Sequence, residues 1–163
     1  MLALGIDPGT AICGYGIVES DGSNLTAIDY GAITSPAKSR QEDRLVKIFD
    51  SVDALIKKYR PEILGVEKLF FYNNVSTAIP VGQARGVTLL AAAKNQLEIL
   101  ELSPPEVKQS VTGYGKASKD QIIFMVTKLL KLSEPPSPDD TADALAVAIG
   151  TLHLANSFAW RNR

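Results

Sequence analysis

The chain has 163 residues, 45% apolar and 21% charged, the balance of an ordinary globular protein. That is enough to bury roughly 70% of the unfolded surface without help from a disulfide or structural zinc. Seventeen basic and eighteen acidic residues leave a net charge of −1, so no molecule-wide field draws nucleic acid or membrane, and the single cysteine, Cys13, excludes an intrachain disulfide framework and every multi-cysteine zinc site.

No apolar run reaches the roughly 18 residues of a membrane span. Met1 to Ile6 lacks a basic n-region and meets an acid at Asp7, so it does not read as a signal peptide, and a cytoplasmic protein is expected. In chain order, Leu2 to Asp7 is a short apolar run suited to a strand buried on both faces. Gly14 to Glu19 and Asn24 to Thr34 follow as strands, joined by the hairpin signal Asp21-Gly22-Ser23. Leu45, Ile48, Phe49, Val52, Leu55, Ile56 and Tyr59 then form the stripe of an amphipathic helix, with Ser39 and Glu42 spaced as a capping box and Pro61 as a stop. Ile63 to Glu67 reads as a strand, a small-residue helix runs from near Ser76 to Asn95, and Leu97 to Leu102 is a fifth strand. Two helices, near Lys119 to Leu132 and Pro138 to Ala155, complete one expected domain over 1–155, with 156–163 as a short frayed tail.

The order βββ-α-β-α-β-α-α predicts an α/β protein with a mixed five-stranded sheet. Three antiparallel strands are followed by two reached through helices, and helices cover both faces. This is the order of the ribonuclease H-like fold, which by itself assigns no function.

Carboxylates interrupt the apolar segments at telling places. Asp7 ends Leu-Ala-Leu-Gly-Ile and Glu67 ends Ile-Leu-Gly-Val, both at the C-terminal ends of predicted central strands, where open α/β sheets place their ligands. In the last helix, Asp139 and Asp140 are accounted for by the helix dipole, whereas Asp143 lies in the second turn of a helix that is apolar on almost every side. Asp140 and Asp143, three residues apart, share a face. If the four acids Asp7, Glu67, Asp140 and Asp143 converge, each pair about 5 Å apart repels by about 3 kcal/mol at an effective dielectric of about 20. Such a group either holds protons or binds hard cations, and an all-oxygen cluster favours Mg²⁺ or Mn²⁺ over zinc.

At these residues a resemblance emerges. Gly5-Ile6-Asp7-Pro8-Gly9-Thr10 with Gly14-Tyr15-Gly16, then Val66-Glu67, then Gly82-Gln83-Ala84-Arg85-Gly86-Val87, resemble the RuvC Holliday-junction resolvases. So do Val107-Lys108-Gln109, Gly113-Tyr114-Gly115 and Asp140-Thr141-Ala142-Asp143-Ala144-Leu145-Ala146. The blocks run in order over residues 2–155. The resemblance implies a homodimeric, metal-dependent endonuclease that makes paired nicks in four-way DNA junctions, leaving 5′-phosphate and 3′-hydroxyl ends. It also implies Asp7, Glu67, Asp140 and Asp143 as catalytic and metal-binding carboxylates, the Asp-x-x-Asp spacing selecting Asp140 over Asp139. Two Mg²⁺ ions per site, replaceable by Mn²⁺, are expected, as is partnership with the RuvA and RuvB branch-migration proteins. Another ribonuclease H-like nuclease, or an inert nucleic-acid-binding relative, is the alternative. An actin-like ATPase would share Asp-Pro-Gly-Thr but needs a second lobe.

Candidate DNA contacts follow. Between Lys108 and Lys131 five lysines face one acid, Asp120, a local charge of +4 (five minus one). A solvated surface accounts for Lys108, Lys116 and Lys119, but the resemblance places residues matching Lys108 and Lys119 near the active centre and favours phosphate contacts, with Lys116 as an additional candidate. Phe70 either packs in the core or, as the resemblance implies, stacks on an opened base at the junction. Arg85 either contacts the DNA backbone or braces its helix. Ala78, Gly82 and Gly86, four residues apart, predict a close helix approach, within the subunit or across a dimer. Cys13 and His153 are expected to be structural.

Overall fold

The computed structural model describes residues 1–69 and 75–157. Five strands, β1 (Leu2–Asp7), β2 (Ile12–Asp21), β3 (Asn24–Thr34), β4 (Ile63–Glu67) and β5 (Glu98–Leu102), form one sheet in the order β3-β2-β1-β4-β5. β1 to β3 are an antiparallel meander, and β4 and β5 add in parallel beside β1. The mixed sheet expected from the element order is thus present. The hairpin turns on Gly22-Ser23, with Asp21 already paired to Asn24 and Gly22 at φ +63°, a first-position glycine that a two-residue turn requires.

Among the described residues, five helices cover the sheet: α1 (Gln41–Tyr59), α2 (Val75–Lys94), α3 (Pro104–Thr112), α4 (Lys119–Leu129) and α5 (Asp139–Asn156). Side chains alternate along each strand, so the sheet builds two cores. Ala3, Val18, Ile63 and Leu102 pack beneath α3, α4 and α5. Leu4, Ile6, Ile17, Leu64 and Val66 pack on the opposite face beneath α1 and α2. On α1 the predicted stripe buries Ile48, Val52 and Ile56.

Two expectations need correction. The Ser39/Glu42 capping box does not form: Arg40 is the N-cap, with no side-chain cap bond, and its guanidinium pairs with Glu42 and Asp43 instead. The turn before α1 is held by Arg44, which donates to the carbonyls of Pro36, Ala37 and Ser39. The second correction is α3, a helix absent from the predicted order. It starts at a complete capping box between Ser103 and Glu106, with proline in its first turn, and ends on Gly113 in the left-handed conformation.

A row of glycines sets how closely α5 approaches. Gly5 pairs with Gly16 on one side and Gly65 on the other, so at this level of the register three adjacent strands present no side chain to α5. A methyl on Gly5 would run into the Ala144 carbonyl and stand 2.5 Å from the Ala148 nitrogen. One on Gly16 would stand 2.7 Å from Leu145 Cδ2, and one on Gly65 would run into Thr151 Oγ1. Gly14, opposite Asp7, has the Asp140 carbonyl against it in the same way. Helix backbone therefore rests on strand backbone, and the N-terminus of α5 lies over the ends of β1 and β2.

Candidate active site

Strand parity aims the two sheet acids. Ala3, Gly5 and Asp7 share one face of β1, and Ile63, Gly65 and Glu67 share the same face of β4, the face covered by α5. Asp143, one turn into α5, joins them. Asp7, Glu67 and Asp143 line a cavity of about 280 Å³ together with Lys108 from α3 and Lys119 from α4, walled by Val107, Ile122 and Ala146. Three of the four predicted carboxylates and two of the three predicted lysines thus line one cavity. Asp140 does not line the cavity, but its charge reaches both Asp7 and Asp143.

The repulsion anticipated for such a group is visible in its protonation. Burial, then the charges of Asp143, Asp140 and Glu67, push the Asp7 carboxyl from 3.8 up to about 7, against a smaller opposing pull from Lys119. Glu67 is raised by burial and by Asp143, with Lys108 acting the other way. Asp143 is raised chiefly by burial, and the ammonium of Lys119 opposes the rise. Lys119 Nζ lies 3.1 Å from Asp139 Oδ2 and 3.3 Å from Asp143 Oδ2. The cation that Asp143 meets in this structure is therefore a lysine.

The donor set suits a hard divalent ion in its chemistry: every donor is a carboxylate oxygen, and the charge lifting Asp7 is what such an ion would relieve. Among the described residues, however, no three His, Cys, Asp or Glu side chains are gathered as a metal-holding group. The acids share a cavity without being drawn together. Nucleophilic catalysis by Cys13 has no support, since its thiol is fully buried and burial pushes it up to about 12. His153 faces the Ser110 carbonyl, Nδ1 to oxygen 2.9 Å, and does not line the cavity.

The remaining predicted contacts divide. Lys116 is exposed on the segment between α3 and α4, outside the cavity. Arg85 is occupied as a brace: its guanidinium pairs with Glu101 on β5 and donates to the Glu67 carbonyl at 3.3 Å. It ties α2 to the strand end that carries Glu67. Phe70, the candidate stacking residue, lies outside the described residues, as do 158–163 of the predicted tail. Among the described residues the predicted close approach at Gly82 and Gly86 is not made within the subunit: a methyl on Gly86 would meet none of them within 4 Å, and one on Gly82 only Leu69 Cδ1 at 3.8 Å. The sequence accounts for Asp139 through the helix dipole alone, and its pairing with Lys119 has no signal there because it joins α4 to α5.

A sheet ordered β3-β2-β1-β4-β5, with acids at the ends of its two middle strands and another on the helix across them, defines a ribonuclease H-like nuclease. The family model described as crossover junction endodeoxyribonuclease RuvC matches residues 3–151. The chain is 55% identical over 160 residues to the crossover junction endodeoxyribonuclease RuvC of Heliobacterium modesticaldum, covering 98% of this chain and 97% of that one. Its fold is similar to that of Thermus thermophilus RuvC, with a TM-score of 0.87 at 33% identity and 95% of each chain covered. Thermus thermophilus RuvC in complex with its Holliday junction substrate gives the same TM-score of 0.87 at 30% identity, again over 95% of each chain. The chain belongs to the RuvC family of crossover junction endodeoxyribonucleases.

Proposed function

We propose that this chain resolves four-way DNA junctions by paired phosphodiester hydrolysis at the Asp7, Glu67, Asp140 and Asp143 cluster, leaving 5′-phosphate and 3′-hydroxyl ends. The observation that carries the reading is the cavity where Asp7, Glu67 and Asp143 meet Lys108 and Lys119. Family membership supplies the junction as substrate. The four carboxylates would hold two Mg²⁺ ions, with Mn²⁺ as substitute. When bound, such ions supply an activated water and neutralise charge on the leaving 3′-oxygen.

The chain's own groups supply the rest. Lys108 and Lys119 enter the cavity from two helices and can donate to the oxygens of a phosphate held over the acids, fixing the strand in register. Lys116, exposed nearby, suits an outer phosphate. Arg85 holds the end of β4, and with it Glu67, in place from behind.

A four-way junction carries two opposed strands to cut, which suits a two-fold homodimer. α2 offers the surface: Ile79, Gln83, Gly86, Leu90 and Ala93 form an exposed stripe, with Ile79 60% and Leu90 52% exposed. RuvA and RuvB as partners, and a cytoplasmic setting, rest on family membership; no helix among the described residues is long and apolar enough to cross a membrane.

The test is a synthetic four-way junction beside a linear duplex of matched sequence, each with Mg²⁺, Mn²⁺ or EDTA and with Asp143→Asn as control. Metal-dependent paired nicks confined to the junction, lost in the variant, are expected. Equal cutting of the duplex, or full activity in Asp143→Asn, overturns the reading.

A further inference from the structure

One contact in the site has no role in that account. The Lys119 ammonium is shared between Asp143, which lines the cavity and is 35% exposed, and Asp139, which stands outside it at 64%. Both contacts use a single oxygen, Oδ2, of each carboxylate. Lys119 is the first residue of α4 and Asp139 the first of α5, so the two helix starts are tied by this one side chain. An ammonium within hydrogen-bond reach of a carboxylate oxygen competes with any cation seeking that oxygen. A second acceptor within reach lets the ammonium give up the first without being released into water.

We propose that Lys119 is a resident competitor for the metal-binding oxygen of Asp143, and that Asp139 is the positioning residue that receives it when a divalent ion arrives. The inference rests on the reading of the acid cluster as a metal site. In the metal-free chain Lys119 screens Asp143 from its neighbours. On metal entry it stays paired with Asp139 at the rim of the cavity, where its charge still faces an incoming phosphate. Without Asp139 the ammonium would settle wholly on Asp143, and the divalent ion would have to displace it into solvent. Asp139 therefore favours metal binding through Lys119, beyond the attraction of its own distant charge.

The test measures Mn²⁺ binding to the DNA-free chain by the EPR signal of the free ion, a readout that does not depend on cleavage. Lys119→Met is expected to bind Mn²⁺ about two- to five-fold more tightly, and Asp139→Asn about two- to five-fold more weakly, the range of partly exposed ion pairs. The double variant decides between mechanisms: with Lys119 gone, Asp139→Asn should have little further effect. An equal loss from Asp139→Asn in both backgrounds would make Asp139 a distant charge only and overturn the proposal. So would unchanged or weaker binding in Lys119→Met. An Asp7→Asn arm tests the reading underneath. Mn²⁺ binding that survives undiminished in Asp7→Asn removes the metal site itself, and the competition with it. Loss there, with additive Lys119 and Asp139 effects, leaves the site standing and removes only the competition.

Discussion

Gly5 on β1 and Ala148 on α5 touch through their backbones, a Cβ on Gly5 having only 2.5 Å to the Ala148 nitrogen. Two residues further along the same face of β1 is Asp7, and five residues earlier on the same helix is Asp143. The separation between a sheet acid and a helix acid is thus set by a missing side chain.

Gly5→Ala should for that reason damage activity beyond its effect on stability. The neighbours are backbone atoms, which cannot rotate away, so α5 must lift from the sheet. Overpacking of this kind costs about 1–3 kcal/mol. A chain still folded at 25 °C by circular dichroism should cleave junctions at least tenfold more slowly, because the distance between Asp143 and Asp7 across the cavity changes. Unchanged cleavage would show that the glycine row does not govern the site.

The raised Asp7 carboxyl makes a prediction about pH. With a value of 3.8 in the unfolded chain and about 7 in the folded one, the native state holds a proton that the unfolded state has lost between those limits. Stability without metal therefore falls as pH rises from about 4 to about 7, by roughly 4 kcal/mol at most from this group. Glu67 and Asp143, also raised, act in the same direction. In urea titrations with EDTA, Asp7→Asn should be more stable than the parent at pH 8 and similar to it at pH 4. Adding Mg²⁺ at pH 8 should stabilise the parent and not the variant. A parent chain most stable at pH 8 in EDTA contradicts the account.

Arg85 separates a brace from a DNA contact. Its guanidinium is engaged by Glu101 and by the Glu67 carbonyl. Arg85→Ala and Glu101→Gln should then share one phenotype, a several-fold drop in cleavage with a stability loss of about 1 kcal/mol and little change in the salt dependence of junction binding. Were Arg85 a phosphate contact, only its own variant would lower the slope of log affinity against log salt, by about 1.

These relationships also mark what could be read from residues alone. The acids were legible because each is an anomaly within one element: Asp7 and Glu67 end apolar strands, and Asp143 interrupts an apolar helix. β1 was legible as a short apolar run bounded by an acid, the β2–β3 hairpin through Asp21-Gly22-Ser23, and α1 through its helical stripe. What escaped was joint between elements. Gly5, Gly16 and Gly65 stand in separate segments, and only the register aligns them. The Lys119–Asp139 pair and the Arg85–Glu101 brace likewise need the assembled fold. α3 is different: its Ser103 and Glu106 capping box lies within one segment, but two consecutive prolines and only nine residues give a weak helical period. The Ser39 and Glu42 pattern errs the other way, since Arg40 next to it begins the helix and draws Glu42 and Asp43 to its own guanidinium.

The stripe on α2 gives the last prediction. Ile79 and Leu90 are large, apolar and exposed, and Gly86 between them leaves open space where a partner backbone could approach. Because neither side chain supports the subunit's own core, Ile79→Asp with Leu90→Asp should leave the fold intact, each exposed substitution changing stability by about 0.5 kcal/mol or less. Light scattering should then report a dimer for the parent and a monomer for the double variant. The monomer should retain its thermal transition yet lose paired nicking, making single nicks in a junction that it binds more weakly. A double variant that stays dimeric would place the two-fold contact on another face, and Gly82 and Gly86 would need a different explanation.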